Sequence, residues 1–227
     1  RNVNFNLIFN RYKGIELVRH KYENERQVLE IRYKNKNYII NLNLIGKIQI
    51  KNIFMAILAA HKSGLEFNKI IDVIHKIKPV EGRLEKIGKI KNRSKVVLDY
   101  AHTPAALEIA LLNLKGQFPS SKINLVFGCG GERDFKKRSI MGKIASKYSD
   151  KIFLTDDNPR YENPSKIRKD IKKGIKKIKV IEIPNRRKAI DKAMLSADVD
   201  WDAIDAVILG KAPDMFEGVM MPELSLV

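Results

Sequence analysis

The stretch from Leu125 to Arg160, LVFGCGGERDFKKRSIMGKIASKYSDKIFLTDDNPR, contains two polar loops, each of which follows a short apolar run. The runs at 123–127 and 152–154 read as buried strands, and the segment between them has the apolar spacing of a helix. Strand, loop, helix, strand and loop form a βαβ unit. Because crossovers in such units are right-handed, both loops should emerge at the carboxyl ends of neighbouring parallel strands, where open α/β sheets bind ligands.

The first loop, Gly128-Cys129-Gly130-Gly131, is rich in glycine, which would let backbone N–H groups approach a ligand where side chains would clash. Charged residues crowd the turn that follows, namely Glu132, Arg133, Asp134, Lys136, Lys137 and Arg138. The second loop reads TDDNPR, from Thr155 to Arg160. On spacing alone, two ordinary surface loops remain the alternative to a binding site.

Strands and helices alternate on both sides of this unit. Residues 96–100, VVLDY, read as a strand, and Thr103 and Pro104 have the types expected of an N-cap and a first helical residue. Later segments predict further helices beginning at Asn163 and Asn185, and strands at 180–183 and 203–209. Five strands with intervening helices predict an α/β fold with a doubly wound, mostly parallel sheet. Its carboxyl edge would carry the polar clusters 99–103, 128–138, 156–160 and 210–214.

The amino-terminal part has a different pattern. Residues 3–44 read as several strands separated by polar turns, which predicts an antiparallel meander. Two helices should follow, at 46–63 and at 67–77, the second ending before Pro79. A short basic segment after Arg83 then leads into the alternating pattern, so we predict a domain boundary near residue 90.

Composition restricts the class of protein. The formal net charge is +18, but the lysines are spread along the chain without interleaved aromatics, which favours a solvated surface over a nucleic-acid-binding module. Apolar runs are too short for a membrane span, and a single cysteine excludes an internal disulfide and fits a reducing cytoplasm. The sequence contains neither a GxxxxGK[ST] phosphate loop nor a paired-Cys or HExxH metal motif, so we assign no metal ligand.

Three motifs stand in a fixed order: DYAHTP at 99–104, FGCGGERD at 127–134 and DDNPR at 156–160. In this order and spacing they closely resemble the Mur ligase family. Weaker matches to the same family are GKIQIKN at 46–52, EGRLE at 81–85 and RRKAI at 186–190. The resemblance covers most of residues 40–211.

The resemblance implies a domain organisation and a reaction. Residues 1–90 would be the carboxyl-terminal part of a central ATPase domain, with antiparallel strands plus helices, and 91–227 a Rossmann-like domain that receives an amino acid. The reaction would be ATP-driven amide formation through an acyl phosphate, with Mg²⁺ spreading the phosphoryl charge. The family's phosphate loop and most metal ligands would lie before Arg1, in an amino-terminal part of the same enzyme. We therefore name no catalytic residue and expect this chain alone to be inactive.

The resemblance also assigns residues to the nucleotide. Asn52 matches a position that packs on adenine, and Arg83 and Asp99 match positions that hold the ribose or nearby groups. His102 matches a position near the phosphates. Their chemistry suits these roles, because a carboxylate can accept two ribose hydroxyl hydrogen bonds and a guanidinium supplies a rigid donor fork.

A second set of residues matches the family's amino-acid pocket: Arg133, Asp156 or Asp157, Asn158, Arg160, Gly210 and Asp214. The sequence DNPR resembles the form that selects meso-diaminopimelate, whose distal end carries an ammonium and a carboxylate. An arginine fork pairs with that carboxylate, and Asp and Asn can accept from the ammonium. The chain departs from the family after Lys211, because Asp214 stands where the family has glutamate and 216–227 do not resemble its tail.

These matches imply a cytoplasmic ligase of peptidoglycan precursor synthesis, acting on UDP-N-acetylmuramoyl-L-alanyl-D-glutamate and meso-diaminopimelate. Neither a nucleic acid nor a membrane is expected as a partner. The alternatives within the superfamily are a lysine-adding ligase and a folylpolyglutamate synthase. Arg160 and the FGCGGERD loop argue against both. For the lysine-adding ligase, the reason is that lysine has no distal carboxylate for the arginine to bind.

Overall fold

The computed structural model of the chain describes residues 11–12, 14–23, 25–89, 94–176, 178–199 and 206–210. The chain divides into two compact units, 1–79 and 80–227. This division lies about ten residues before the predicted boundary near 90. The reason is strand β5, Glu85–Lys89, which pairs antiparallel with the first strand of the second unit's sheet. Residues 85–89 of this basic segment therefore belong to the sheet of the second unit. The match of each unit to a Mur ligase domain stays a prediction.

The first unit has the predicted antiparallel meander. Its described strands, in the order β1-β2-β3-β4, are Arg11–Tyr12, Ile15–Glu23, Arg26–Tyr33 and Lys36–Leu42. Helices α1, Lys47–Lys62, and α2, Phe67–Ile74, follow, and their buried faces pack with the inward side chains of the sheet into one apolar core. The predicted strand at 3–9 lies outside the described residues.

The second unit contains a sheet with six strands among the described residues, in the order β5-β6-β10-β7-β8-β9. Every neighbouring pair is parallel except β5 with β6. After β5, the elements are β6 Lys95–Asp99, α3 Pro104–Gln117, β7 Ile123–Phe127, α4 Lys136–Tyr148, β8 Lys151–Leu154, α5 Pro164–Lys172, β9 Lys179–Glu182, α6 Arg186–Val199 and β10 Ala206–Gly210. The predicted α/β fold with a mostly parallel, doubly wound sheet is confirmed.

Local sequence explains where the helices of this unit begin. The Thr103 hydroxyl accepts a hydrogen bond from the N–H of Ala106 at 3.3 Å, with Pro104 as the first helical residue. Asn163 caps α5 in the same way, with its Oδ1 accepting from the N–H of Ser165 at 2.9 Å. These caps set where the chain turns from strand end to helix. Within the part of the chain that the structure describes, no helix has both the length and the apolarity needed to cross a membrane.

Candidate amino-acid and nucleotide sites

The carboxyl edge of the second sheet gathers the polar clusters, as the sequence predicts. Strands β7 and β8 are direct neighbours, so the loops that follow them lie side by side. Strand β10 lies between β6 and β7, and its last residue, Gly210, is in register with Asp99. Asp214 and the rest of the divergent end lie outside the described residues. Among the described residues, this edge therefore brings together the loops that follow β6, β7 and β8, with Gly210 at the end of β10 between them.

The glycines of the first loop let the backbone of the second loop pack closely against it. A Cβ atom added to Gly131 would lie 1.9 Å from the carbonyl oxygen of Pro159, and one added to Gly128 would lie 2.4 Å from that of Thr155. The N–H of Gly131 also donates to the carbonyl of Asn158 at 2.8 Å. The expectation that these glycines make room for a ligand is thus corrected at Gly128 and Gly131, where protein backbone fills the space.

Arg160, the last residue of the second loop, contacts the first loop. Its backbone is in the left-handed region, with φ of 50°, and its N–H donates to the side-chain Oδ1 of Asn158 at 3.2 Å. One guanidinium nitrogen donates to the carbonyl of Gly131, while the residue as a whole stays exposed. Arg133, two residues beyond Gly131, is exposed as well and forms no hydrogen bond or ion pair with another described residue. Two guanidinium groups are therefore available to a ligand at adjacent loops.

The two aspartates of DDNPR already have protein partners. Asp156 pairs with Arg168, whose side chain is only 9% exposed and whose Nε also donates to Glu182 at 2.8 Å. Asp157 lies 3.9 Å from a guanidinium nitrogen of Arg186, which is buried too. Asp156 is therefore committed to the protein, whereas Asp157, with its longer contact, is the better acceptor for a ligand ammonium. Neither arginine was predicted for this site, because Arg168 lies in a segment that reads as an ordinary amphipathic helix and the motif RRKAI marks Arg186 without indicating its partner.

A third buried arginine lies beneath the first loop. Arg138 on α4 is 1% exposed. It donates to Glu162 at 2.8 Å and to Asp170 at 3.3 Å. The hydrogen bond from Arg138 is the main cause that lowers the pKa of Glu162, and the bond from the N–H of Glu132 adds to it. Both members of this pair are therefore charged at neutral pH.

Asp99, at the end of β6, is separated by β10 from the two loops described above, and it stabilises the turn at 82–84. Its two carboxylate oxygens accept from the N–H groups of Leu84 and Ala101, each at 2.9 Å, and the residue is 8% exposed. Burial raises the pKa of Asp99, and these hydrogen bonds and Arg83 act in the opposite direction. Each oxygen keeps a second lone pair, so a ribose hydroxyl could still donate to it. The ribose role of Asp99 stays a prediction.

Arg83 and His102 both contact the ring of Tyr100. The Arg83 guanidinium is 5.1 Å from the centre of the Tyr100 ring, and the His102 ring meets the same ring edge to face at 5.0 Å. Lys137 on α4 donates to the carbonyl of His102 at 2.8 Å, which ties this cluster to the first loop's helix. Three of the four predicted nucleotide residues thus come together in one unit. The fourth, Asn52, is exposed on α1 in the other unit, and its role stays a prediction.

Cys129 is a structural residue of the first loop. Its side chain is 4% exposed, its Sγ lies 3.7 Å from the sulfur of Met141, and burial raises the pKa of its thiol to about 11. Because the thiolate is the reactive form, we expect Ellman's reagent at pH 8 to leave the native protein unmodified and to react fully once guanidinium chloride unfolds it. The release of the coloured thiolate measures both rates. Rapid reaction without denaturant would contradict this burial.

The fold is a doubly wound α/β domain whose carboxyl edge carries the candidate ligand site. Residues 82–210 match the family model described as Mur ligase, glutamate ligase domain. This match spans more than half of the chain, and the chain belongs to that family. The predicted resemblance is confirmed.

Individual relatives agree with this assignment. The UDP-N-acetylmuramoyl-L-alanyl-D-glutamate–2,6-diaminopimelate ligase of Rickettsia felis is 42% identical over 192 residues, which are 84% of this chain and 36% of that protein. A solved structure of a ligase with the same name is 31% identical with a TM-score of 0.64, over 87% of this chain and 40% of that one. The folylpolyglutamate synthase of Mycobacterium tuberculosis, solved with ADP, shares the fold at 21% identity and a TM-score of 0.67, over 88% of this chain and 45% of that one. The chain thus spans little more than a third of its curated relative.

Proposed function

We propose that this chain is part of an ATP-dependent ligase that adds meso-diaminopimelate to UDP-N-acetylmuramoyl-L-alanyl-D-glutamate. The observation that carries the proposal is the pair of exposed arginines, Arg133 and Arg160, on two loops packed against each other. The names of the relatives support the same substrates. The reaction belongs to peptidoglycan precursor synthesis, and we place it in the cytoplasm, where ATP is available.

Within this proposal, the second unit binds and orients the incoming amino acid. The guanidinium of Arg160 pairs with the distal carboxylate of diaminopimelate, and Asp157 and Asn158 accept from its ammonium. Arg133, on the adjacent loop, provides a second cation for a carboxylate of the same molecule. Gly210, at the end of β10, lies at the same edge, and Asp214 is assigned to the ammonium by sequence alone.

ATP is the proposed energy source, held on this chain by Arg83, Asp99 and His102, with Asn52 assigned by sequence. The ADP bound to the Mycobacterium tuberculosis structure supports a nucleotide ligand for this fold. Among the described residues there is no group of three or more His, Cys, Asp or Glu side chains that could hold a metal ion. We therefore assign no Mg²⁺ ligand to the part of the chain that the structure describes.

Calorimetric titration of the chain with meso-diaminopimelate and with L-lysine tests the proposal. We expect diaminopimelate to bind more tightly by at least about tenfold, because lysine would leave a charged donor fork without its partner and such a bond contributes roughly 1.5–3 kcal/mol. As a control, Arg187→Ala should show the same preference as the wild type. Arg187 is an exposed arginine next to the buried Arg186, and we assign it to neither candidate site. Equal affinities for the two amino acids, or no binding of either, would contradict the proposed substrate.

A further inference from the structure

One glutamate connects both candidate amino-acid loops to the same buried arginine. Glu162, two residues after Arg160, accepts from Arg138 at 2.8 Å and, with the same oxygen, from the backbone N–H of Glu132. Arg138 also reaches the carbonyl of Gly130 at 3.5 Å. The pair Arg138–Glu162 therefore contacts the first loop at two points. Glu162 itself lies shortly after the second loop in the sequence.

The backbone on both sides of this pair is strained. Glu132 and Arg160 have φ of 48° and 50°, in the left-handed region that residues with a Cβ rarely adopt. Such conformations persist only where surrounding contacts hold them, and they cluster at functional sites. Here the hydrogen bond from the N–H of Glu132 to Glu162 supplies such a contact. The backbone conformation of Glu132 therefore sets the direction in which the chain continues to Arg133.

We propose that the Arg138–Glu162 ion pair is the positioning element of the amino-acid pocket, and that it fixes the separation between Arg133 and Arg160. This inference rests on the proposed function, in which both arginines bind carboxylates of one diaminopimelate molecule. Neither Arg138 nor Glu162 touches the substrate. The pair acts through the two loops, so its loss should lower selectivity for a substrate with two carboxylates more than it lowers binding of lysine.

Glu162 is the better member to change, because its side chain is 28% exposed whereas that of Arg138 is 2% exposed. Glu162→Ala removes both hydrogen bonds, and Glu162→Gln keeps the shape and one acceptor oxygen but removes the charge. Glu108 provides a matched control, since it is a partly exposed glutamate of the same unit that lies on α3 and accepts at 2.8 Å from Tyr148, ten residues after Arg138 at the other end of α4. Glu108→Ala should leave the binding of both amino acids unchanged.

The experiment is calorimetric titration of the wild type and the three variants with meso-diaminopimelate and with L-lysine. A displacement of about 1 Å in a site can cost on the order of a hundredfold, so we expect the diaminopimelate affinity to fall about 10- to 100-fold in Glu162→Ala and less in Glu162→Gln. The lysine affinity should change by a smaller factor, which lowers the selectivity ratio. A merely stabilising ion pair would lower the melting temperature and leave that ratio unchanged in the folded protein.

The outcomes separate this inference from the proposed function. If the wild type prefers diaminopimelate and the folded Glu162 variants keep the same ratio, the positioning role is overturned and the proposed function stands. If the wild type shows no preference, the proposed function itself fails. If Glu162→Ala does not fold, Glu162→Gln tests the positioning role instead, because it keeps the packing. An unchanged selectivity ratio in Glu162→Gln would then overturn the inference.

Discussion

In the Arg160→Ala variant, we expect the preference for meso-diaminopimelate over lysine to be largely lost. The wild-type guanidinium is anchored by one N–H to the carbonyl of Gly131, which leaves its other donors for the distal carboxylate of the ligand. Losing a charge-assisted pair of this kind costs about 2–3 kcal/mol. This is about 30- to 150-fold in the affinity for diaminopimelate.

The ratio of dissociation constants for the two amino acids is the quantity to measure, in the wild type and in the variant. Lysine has no distal carboxylate, so its affinity should change far less than that of diaminopimelate. ATP affinity should stay the same, because Arg83, Asp99 and His102 lie around β5 and β6, which are separated by β10 from the two strands that carry the amino-acid loops. An unchanged ratio would remove Arg160 from the selectivity role and leave DNPR as a structural turn.

Replacing Gly131 by alanine should have the second large effect, on stability and on ligand binding together. The added Cβ would meet the carbonyl oxygen, the carbonyl carbon and the Cα of Pro159 at 1.9, 2.6 and 3.2 Å. These are backbone atoms, which cannot rotate away as the end of a flexible side chain can. Overpacking of this kind costs about 1–3 kcal/mol, and we expect the upper end. The second loop must move, so diaminopimelate binding should fall as well.

Thermal unfolding followed by circular dichroism measures the stability part of this prediction. A cost of about 3 kcal/mol corresponds to a decrease of roughly 6–12 °C in melting temperature for a protein of this size. Gly116→Ala is the control, because Gly116 lies in α3 and a Cβ there would meet no atom within 4 Å. That variant should gain about 0.5–1 kcal/mol from helix propensity. A Gly131→Ala protein as stable as the wild type would contradict the close packing of the two loops.

The sequence predicted those features that depend on neighbours along the chain. The βαβ unit at 123–154, the caps at Thr103 and Asn163 and the meander before Leu42 all follow from local spacing and residue type. Strand β5 was missed because EKIGK contains lysine and glycine, which have little preference for strands, and it forms only at the edge of the sheet. Its antiparallel pairing with β6 moved the boundary between the units.

The roles of the buried arginines could not be predicted in the same way. In a chain with 44 lysines and arginines, nothing local distinguishes Arg138 and Arg168 from basic residues on a solvated helix face, and the motif RRKAI marks Arg186 without showing what it contacts. Their partners lie far away in sequence, as the ion pair of Arg138 with Glu162 illustrates. The close packing at Gly131 could not be predicted from local sequence either, because Pro159 lies near Gly131 only once β7 and β8 have paired.

By itself, the sequence determined the α/β class, the carboxyl edge at which polar residues gather and the motifs that placed the chain in its family. Hydrophobic periodicity, capping residues and motif order are read from neighbouring positions and need no partner from elsewhere. Only the tertiary structure decided that β10 lies between the two groups of candidate site residues, that the backbone of the second loop packs against Gly128 and Gly131, and that Glu162 accepts from both Arg138 and the N–H of Glu132. These features depend on contacts between segments distant in sequence, and such contacts exist only once the sheet has formed.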